Sequence, residues 1–158
     1  MDRVDKDQLF MQEALKEAKK AFKKEEVPIG AVIVLDDKII AKAHNQRERD
    51  FNPLGHAELL VIKKASKKLS RWRLNDCTLY VTVEPCVMCA GALINARIKR
   101  LVYGCADKKA GAIESLYKIA EDRRLNHNFS LTSRVMELEC SKIIKDFFKL
   151  KRKSVYKV

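Results

Sequence analysis

The stretch Thr78-Leu79-Tyr80-Val81-Thr82-Val83-Glu84-Pro85-Cys86-Val87-Met88-Cys89-Ala90-Gly91-Ala92, followed a few residues later by Ile98-Lys99-Arg100-Leu101-Val102-Tyr103, decides the fold. Cys77 to Val83 is an apolar run of strand length, rich in β-branched residues. Cys86 to Ala96 reads as a short helix, and Ile98 to Tyr103 returns as a strand. The order strand, helix, strand implies a parallel crossover.

Working outward, Phe10, Met11, Ala14, Leu15, Ala18, Ala21 and Phe22 recur at three and four, which predicts an amphipathic helix over roughly residues 4 to 24. Its polar face carries Lys16, Lys19, Lys20 and Lys23. Pro28 to Leu35 and Lys38 to Ala43 read as strands of a hairpin turning at Asp36-Asp37. The polar segment Asn45 to Gly55 contains Asn52-Pro53 and reads as a loop leading to His56. A helix fits Ala57 to Leu69. Downstream come a loop from Cys105 to Gly111, a helical stretch from about Ile113 to Arg123, and a short strand around Phe129 to Arg134. Leu138, Ile143, Ile144, Phe147, Phe148 and Leu150 mark a last helix. The expectation is an α/β fold, a three-layer α/β/α domain with a five-stranded mixed sheet. Residues 1–158 form one domain, with a basic C-terminal helix from about 138. A chain of 158 residues suits one well-buried core.

The chemistry is concentrated in two motifs, His56-Ala57-Glu58 and Pro85-Cys86-Val87-Met88-Cys89. If Pro85 opens a helix, Cys86 and Cys89 lie on one face, a turn apart, and both sulfurs reach one ion. The helix N-terminus favours thiolate over thiol. His56 supplies a third donor from another segment. One imidazole and two thiolates leave the fourth tetrahedral position of a zinc ion open to water, as in a catalytic site. Zinc lowers the pKa of that water from about 16 toward about 7. Glu58, two residues beyond His56, is poorly placed as a second ligand on the same face and better placed as the base that moves the proton.

The joint pattern His-x-Glu with Pro-Cys-x-x-Cys is the signature of zinc-dependent nucleobase deaminases, among which the tRNA-acting enzymes are a standard example. The chain resembles the cytidine and deoxycytidylate deaminase superfamily, and within it the bacterial tRNA adenosine deaminases that convert a wobble adenosine to inosine. The resemblance runs through Val27-Pro28-Ile29-Gly30-Ala31-Val32, His44-Asn45, Thr78 to Cys86, Ala90-Gly91-Ala92, Asp107, Leu125-Asn126-His127 and Asp146-Phe147-Phe148. It therefore covers nearly the whole chain. It implies the same three-layer fold, one Zn2+ per subunit held by His56, Cys86 and Cys89, Glu58 as the catalytic proton shuttle, and a homodimer in which residues of both subunits reach each RNA.

The same resemblance implies the substrate contacts. Asn45 matches an asparagine that hydrogen-bonds the bound nucleoside, although an Asn at a loop start also commonly satisfies backbone groups. Val27 and Pro28 match the pocket wall, and Ala57 matches the residue whose backbone meets the purine edge. Glu84, followed by Pro85, matches the backbone position on the amine side of the reaction. Asp107 matches an aspartate near the ribose and phosphate path, while Asn126 and His127 match a site on the anticodon loop. Phe148 and Arg152 correspond to positions near that loop. Phe147 is the residue of the Phe147-Phe148 pair that belongs in the core. Two departures concern loop shape, Leu54-Gly55 before His56 and Lys109-Ala110 after Asp107.

Charge bears on substrate size. The chain holds 33 basic and 21 acidic residues, a net charge of +12, which is the electrostatic footprint of a nucleic-acid binder. The excess is clustered. Between Lys142 and Val158 the basic residues Lys142, Lys145, Lys149, Lys151, Arg152, Lys153 and Lys157 face a single acid, Asp146. A second run holds Lys63, Lys64, Lys67, Lys68, Arg71 and Arg73. Lysine outnumbers arginine, so part of this excess is also consistent with solvated helix faces. The partners expected are a tRNA anticodon stem-loop and a second copy of the chain, with no membrane. The polar start Met1-Asp2-Arg3-Val4-Asp5-Lys6-Asp7 has no apolar h-region, and no stretch reaches the length of a membrane span, which points to the cytoplasm. Cys77, Cys105 and Cys140 read as small buried hydrophobes in a reducing compartment.

Two other readings share part of the pattern. A zinc-dependent deaminase of a free base, nucleoside or nucleotide would use the same metal motifs. A non-enzymatic RNA-binding module with structural zinc would need a fourth protein ligand, such as Cys77, Cys105 or His44, and would leave Glu58 unused.

Overall fold

The structure is a computed structural model and describes residues 1–155. The end of the basic C-terminal run, with Lys157, lies outside the described residues. The elements in order are α1 (Arg3–Lys23), β1 (Gly30–Leu35), β2 (Lys38–His44), α2 (Ala57–Leu69), β3 (Thr78–Val83), α3 (Val87–Asn95), β4 (Arg100–Cys105), β5 (Ser130–Thr132) and α4 (Glu137–Val155). The sheet runs β2-β1-β3-β4-β5. β1 is antiparallel to both β2 and β3, whereas β3, β4 and β5 are mutually parallel. Asp36 and Asp37 both take positive φ, 48° and 58°, the conformation of a two-residue hairpin turn that matches strand twist.

The period of two along the strands sorts the core into two layers. Ile33 pairs with Leu79, and Leu79 with Leu101. This row packs with Ala57, Val61 and Ala65 of α2 and with Ala90 and Leu93 of α3. The alternate row, Val32, Tyr80 and Val102, turns to the other face and meets Phe10, Met11, Ala14 and Leu15 of α1 and Cys140 of α4. The three-layer α/β/α arrangement with a five-stranded mixed sheet follows directly. Cys77, Cys105 and Cys140 are all buried.

α1 lies very close to the sheet because small residues face it. A Cβ placed on Gly30 would stand 2.0 Å from the Ala14 carbonyl oxygen and 2.4 Å from the Ala18 nitrogen. Glycine is therefore required by space at this position. The same helix is tied to the opposite end of the sheet through Asp7, which accepts hydrogen bonds from Arg100 Nη1 at 2.8 Å and Tyr80 Oη at 2.8 Å.

The expected helix from about Ile113 to Arg123 does not form. Only a 3-10 turn, Ile119–Glu121, is present in that stretch. The backbone does not close helical turns: Leu116 N donates to the Gly111 carbonyl and Ile119 N to the Ala112 carbonyl, five and seven residues back rather than four, while Ile113, Glu114 and Ser115 N all donate to Glu84 Oε2. These longer-reaching bonds make an irregular turn, anchored on the Glu84 carboxylate, where the apolar spacing suggested a helix.

Candidate active site

Two chain segments meet at the carboxyl end of β3. β3 passes through Glu84 and Pro85 to Cys86, which is the N-cap of α3 rather than its first turn, so the helix starts at Val87, one residue later than the expected Cys86 and two later than a Pro85 start implies. Cys89 is then the third residue of α3, still one turn from Cys86. His56 is the N-cap of α2, with Ala57 and Glu58 as the first two helical residues. Both helices therefore aim their N-termini, with unpaired N–H groups and partial positive charge, at one place. Ligand sites in open α/β sheets form at such strand ends.

His56 Nδ1 stands 3.6 Å from Cys86 Sγ and 3.5 Å from Cys89 Sγ, and the three donor atoms all lie within 4.8 Å of one another. Tetrahedral zinc with Zn–S of about 2.3 Å and Zn–N of about 2.0–2.1 Å requires N···S separations of about 3.6 Å. The donor set thus fits a zinc ion in both chemistry and spacing. Among the described residues no fourth His, Cys, Asp or Glu joins this cluster. His44, one fourth ligand considered for a closed site, instead places Nδ1 3.0 Å from Glu17 Oε2 and Nε2 3.2 Å from Lys24 Nζ.

The electrostatics of the cluster also suit a cation. A hydrogen bond from the Cys89 thiol, helped by His56, brings the Cys86 thiol down to about 3. Cys89 moves the opposite way, because its thiol donates a hydrogen bond to Cys86 and is buried beside Glu58. Cys86 in turn raises the imidazole of His56 through their hydrogen bond. The first thiolate forms readily and the second only against the first, so a divalent ion bound here would favour both. Glu58 is buried, and that burial raises its carboxyl from 4.5 to about 7. A group near 7 both accepts and releases protons at neutral pH.

Beside the cluster is a pocket of about 180 Å³ lined by Val27, Asn45, Arg47, Ala57, Glu58, Glu84 and Asp107, together with His56 and Cys86. Pro28 and Pro85 are buried and do not line it. Asn45 is also buried. Its Nδ2 donates to the Val27 carbonyl at 3.3 Å and its Oδ1 accepts from Arg47 N at 3.1 Å, so it supports the pocket wall as well as facing the cavity. A larger cavity of about 590 Å³ shares Val27, Ile29, Val83 and Asp107 with the pocket and extends to Lys108, Lys109, Lys145, Phe148 and Arg152. Phe147 is buried, packed edge-on between Phe22 and Phe148, whereas Phe148 is exposed in the groove.

Asn126 and His127 line neither cavity. Asn126 is exposed, and His127 Nε2 lies 2.7 Å from the Ile98 carbonyl oxygen, an anchor for the approach to β5. Several residues of the site escaped sequence reasoning. Arg47 and Ala110 line the pocket, and Lys108, Lys109 and Lys145 line the groove. Glu26, fully buried, accepts hydrogen bonds from Glu48 N at 3.2 Å and Arg49 N at 2.5 Å, and so shapes the loop leading to His56. A glutamate beside an apolar strand was its only sequence signal.

Comparison with known proteins agrees with the geometry. Residues 4–152 match the family of MafB19-like deaminases. The chain is 49% identical over 150 residues to a tRNA-specific adenosine deaminase of Bacillus subtilis (strain 168), covering 95% of this chain and 93% of that one. A solved structure from work on A-to-I editing by tRNA:A34 deaminases at the wobble position is 43% identical with a TM-score of 0.83, covering 85% of this chain and 98% of the other. A guanine deaminase from Bacillus subtilis is 37% identical with a TM-score of 0.61, but covers only 67% of this chain and 66% of its own. With the donor cluster, the buried glutamate and a likeness that extends over nearly its whole length, the chain belongs to the family of tRNA-specific adenosine deaminases.

Proposed function

We propose that this protein hydrolytically deaminates the wobble adenosine of a tRNA anticodon to inosine. The observation that carries the reading is the continuity of two cavities: a pocket of about 180 Å³ containing Glu58 opens beside a groove of about 590 Å³ lined by Lys108, Lys109, Lys145, Phe148 and Arg152. A free base needs only the first. A base extruded from an RNA loop needs a place for its neighbours and their phosphates as well.

Zinc held by His56, Cys86 and Cys89 supplies the Lewis acidity that makes water a usable nucleophile near neutral pH. Glu58 takes a proton from the attacking water and delivers it to the amino nitrogen on C6 of adenine. The new C6–O bond forms, the C6–N bond breaks, and the products are inosine and ammonia with no change of oxidation state. Asn45 and Val27 hold the base from one side. Ala57, at the first position of α2, offers a backbone N–H with no helical partner to the purine edge. Glu84 borders the amine side, and Asp107 stands where the pocket meets the groove, next to the ribose. Phe148 stacks a neighbouring base while Arg152 and Lys145 meet phosphates. Asn126 and His127, outside both cavities, act in this reading on a more distant part of the loop.

The proposed functional unit is a homodimer in the cytoplasm, where tRNA is found. In support, large apolar side chains are exposed on segments flanking the site: Phe51, Leu54, Val87, Leu116 and Tyr117. Sedimentation as a monomer at micromolar concentration contradicts the dimer. Among the described residues no helix is long and apolar enough to cross a membrane.

The functional reading is tested by ammonia release from an anticodon stem-loop carrying a wobble adenosine, beside free adenosine, cytidine and guanine. Release from the RNA alone is expected. Release from guanine or cytidine alone keeps the chemistry and overturns the substrate.

A further inference from the structure

The side chain of Glu84 has no task in the deamination described above, where only its position beside the pocket is used. It is 3% exposed, and no Lys, Arg or His pairs with it among the described residues. Its whole charge is instead spent on one loop. Oε2 accepts from the backbone N–H groups of Ile113 at 3.1 Å, Glu114 at 3.0 Å and Ser115 at 3.0 Å. Oε1 accepts from Asp107 N at 3.2 Å and from the Ser115 hydroxyl. A carboxylate that gathers five donors from residues 107–115 fixes the path of that segment, alongside the burial of Ala112 and Ile113 in the core.

The segment is the wall of the substrate groove. Asp107 lies in both cavities, Ala110 lines the pocket, and Lys108 and Lys109 line the groove. The order passes from Glu84 outward: Asp107 N is held by Glu84, and Asp107 Oδ1 in turn accepts from Lys109 N at 3.0 Å and Ala110 N at 3.1 Å. The fit is tight from the other side as well. A Cβ on Gly111 would stand 2.4 Å from both Glu84 Cδ and Oε2.

We propose that Glu84 is a positioning residue for the RNA substrate, whose carboxylate sets Asp107 and the Lys108-Lys109 wall at the height of the pocket mouth. The inference rests on the RNA reading above. It assigns to the side chain of Glu84 a part in substrate placement separate from holding the helix that carries Cys86 and Cys89.

Glu84→Gln separates these tasks. The amide oxygen can keep the three donors at Ile113, Glu114 and Ser115, and the NH₂ then faces the Asp107 N–H, donor against donor, so Asp107 is released. The measurements are KM, kcat and zinc content with a wobble-adenosine stem-loop, and Kd of the same RNA by fluorescence anisotropy. Displacement of positioning groups by about an ångström costs on the order of 10²-fold. We expect KM and Kd to rise about tenfold or more, zinc to stay at about one per chain, and kcat to fall by less than KM rises. In an Asp107→Ala background the same substitution adds little, because its effect passes through Asp107. Ser115→Ala, which removes one donor and leaves the carboxylate, shifts KM in the same direction by a smaller factor and serves if Glu84→Gln does not fold. Loss of zinc, a fall in kcat with KM unchanged, or full additivity with Asp107→Ala overturns the proposal. If the wild-type protein neither binds nor deaminates the stem-loop, the functional reading itself fails, and this inference with it.

Discussion

His56 Nδ1 and Cys89 Sγ, 33 residues apart in the chain, stand 3.5 Å from each other at the meeting of two helix N-termini. A zinc ion held by this cluster would bind only the folded arrangement, so its removal is a stability measurement as well as an activity one. Chelation is expected to abolish turnover and lower the melting temperature, and added zinc to restore both. Cys86→Ser and Cys89→Ser should each reduce bound zinc from about one per chain to a small fraction, as read by elemental analysis. A variant that keeps stoichiometric zinc removes that sulfur from the ligand set.

Glu58 differs from its neighbours in having no donor atom in the ligand cluster while being more buried than His56 and Cys86. Glu58→Gln preserves the shape and deletes the proton acceptor. Its kcat should fall by roughly 10²–10⁴-fold, the range for a lost general acid–base, with zinc content and RNA affinity nearly unchanged. Substantial retained turnover sinks the assignment.

The groove makes a different claim, about binding. Phe148→Ala should weaken stem-loop affinity by about 1–3 kcal/mol, or about 5- to 150-fold, if the ring stacks on a base. Arg152→Ala should flatten the dependence of log K on log salt by about 0.7–0.9 if one phosphate contact is lost. An unchanged salt slope leaves Arg152 among the solvated charges.

Gly30 tests the packing that holds the strands in place. Gly30→Ala puts a methyl group into the backbone of α1 at Ala14 and Ala18. Overpacking of this kind costs about 1–3 kcal/mol, which should appear as a lower urea midpoint with little change in slope. A midpoint equal to wild type means that α1 shifts freely.

Much of this was legible from the chain. The apolar runs from Pro28 to Leu35 and from Cys77 to Val83, the turn at Asp36-Asp37 and the crossover through Cys86–Ala96 all rest on local composition and order, which survive into the fold. The donor cluster was legible because zinc chemistry restricts residue types tightly. Residues 113–123 were misread because Leu116 N and Ile119 N reach back to Gly111 and Ala112 rather than four residues, around an anchor on Glu84 about thirty positions away in sequence, and no local pattern reports either. The groove lysines were equally hidden, since Lys108 and Lys145 differ from other surface lysines only in what the fold sets beside them.

The most direct test is to treat an anticodon stem-loop bearing adenosine at the wobble position, and others elsewhere in the loop, and to sequence it by reverse transcription. The account predicts that the wobble position alone reads as guanosine, the signature of inosine. An unchanged wobble adenosine, with deamination seen only for a free base or nucleoside, contradicts it.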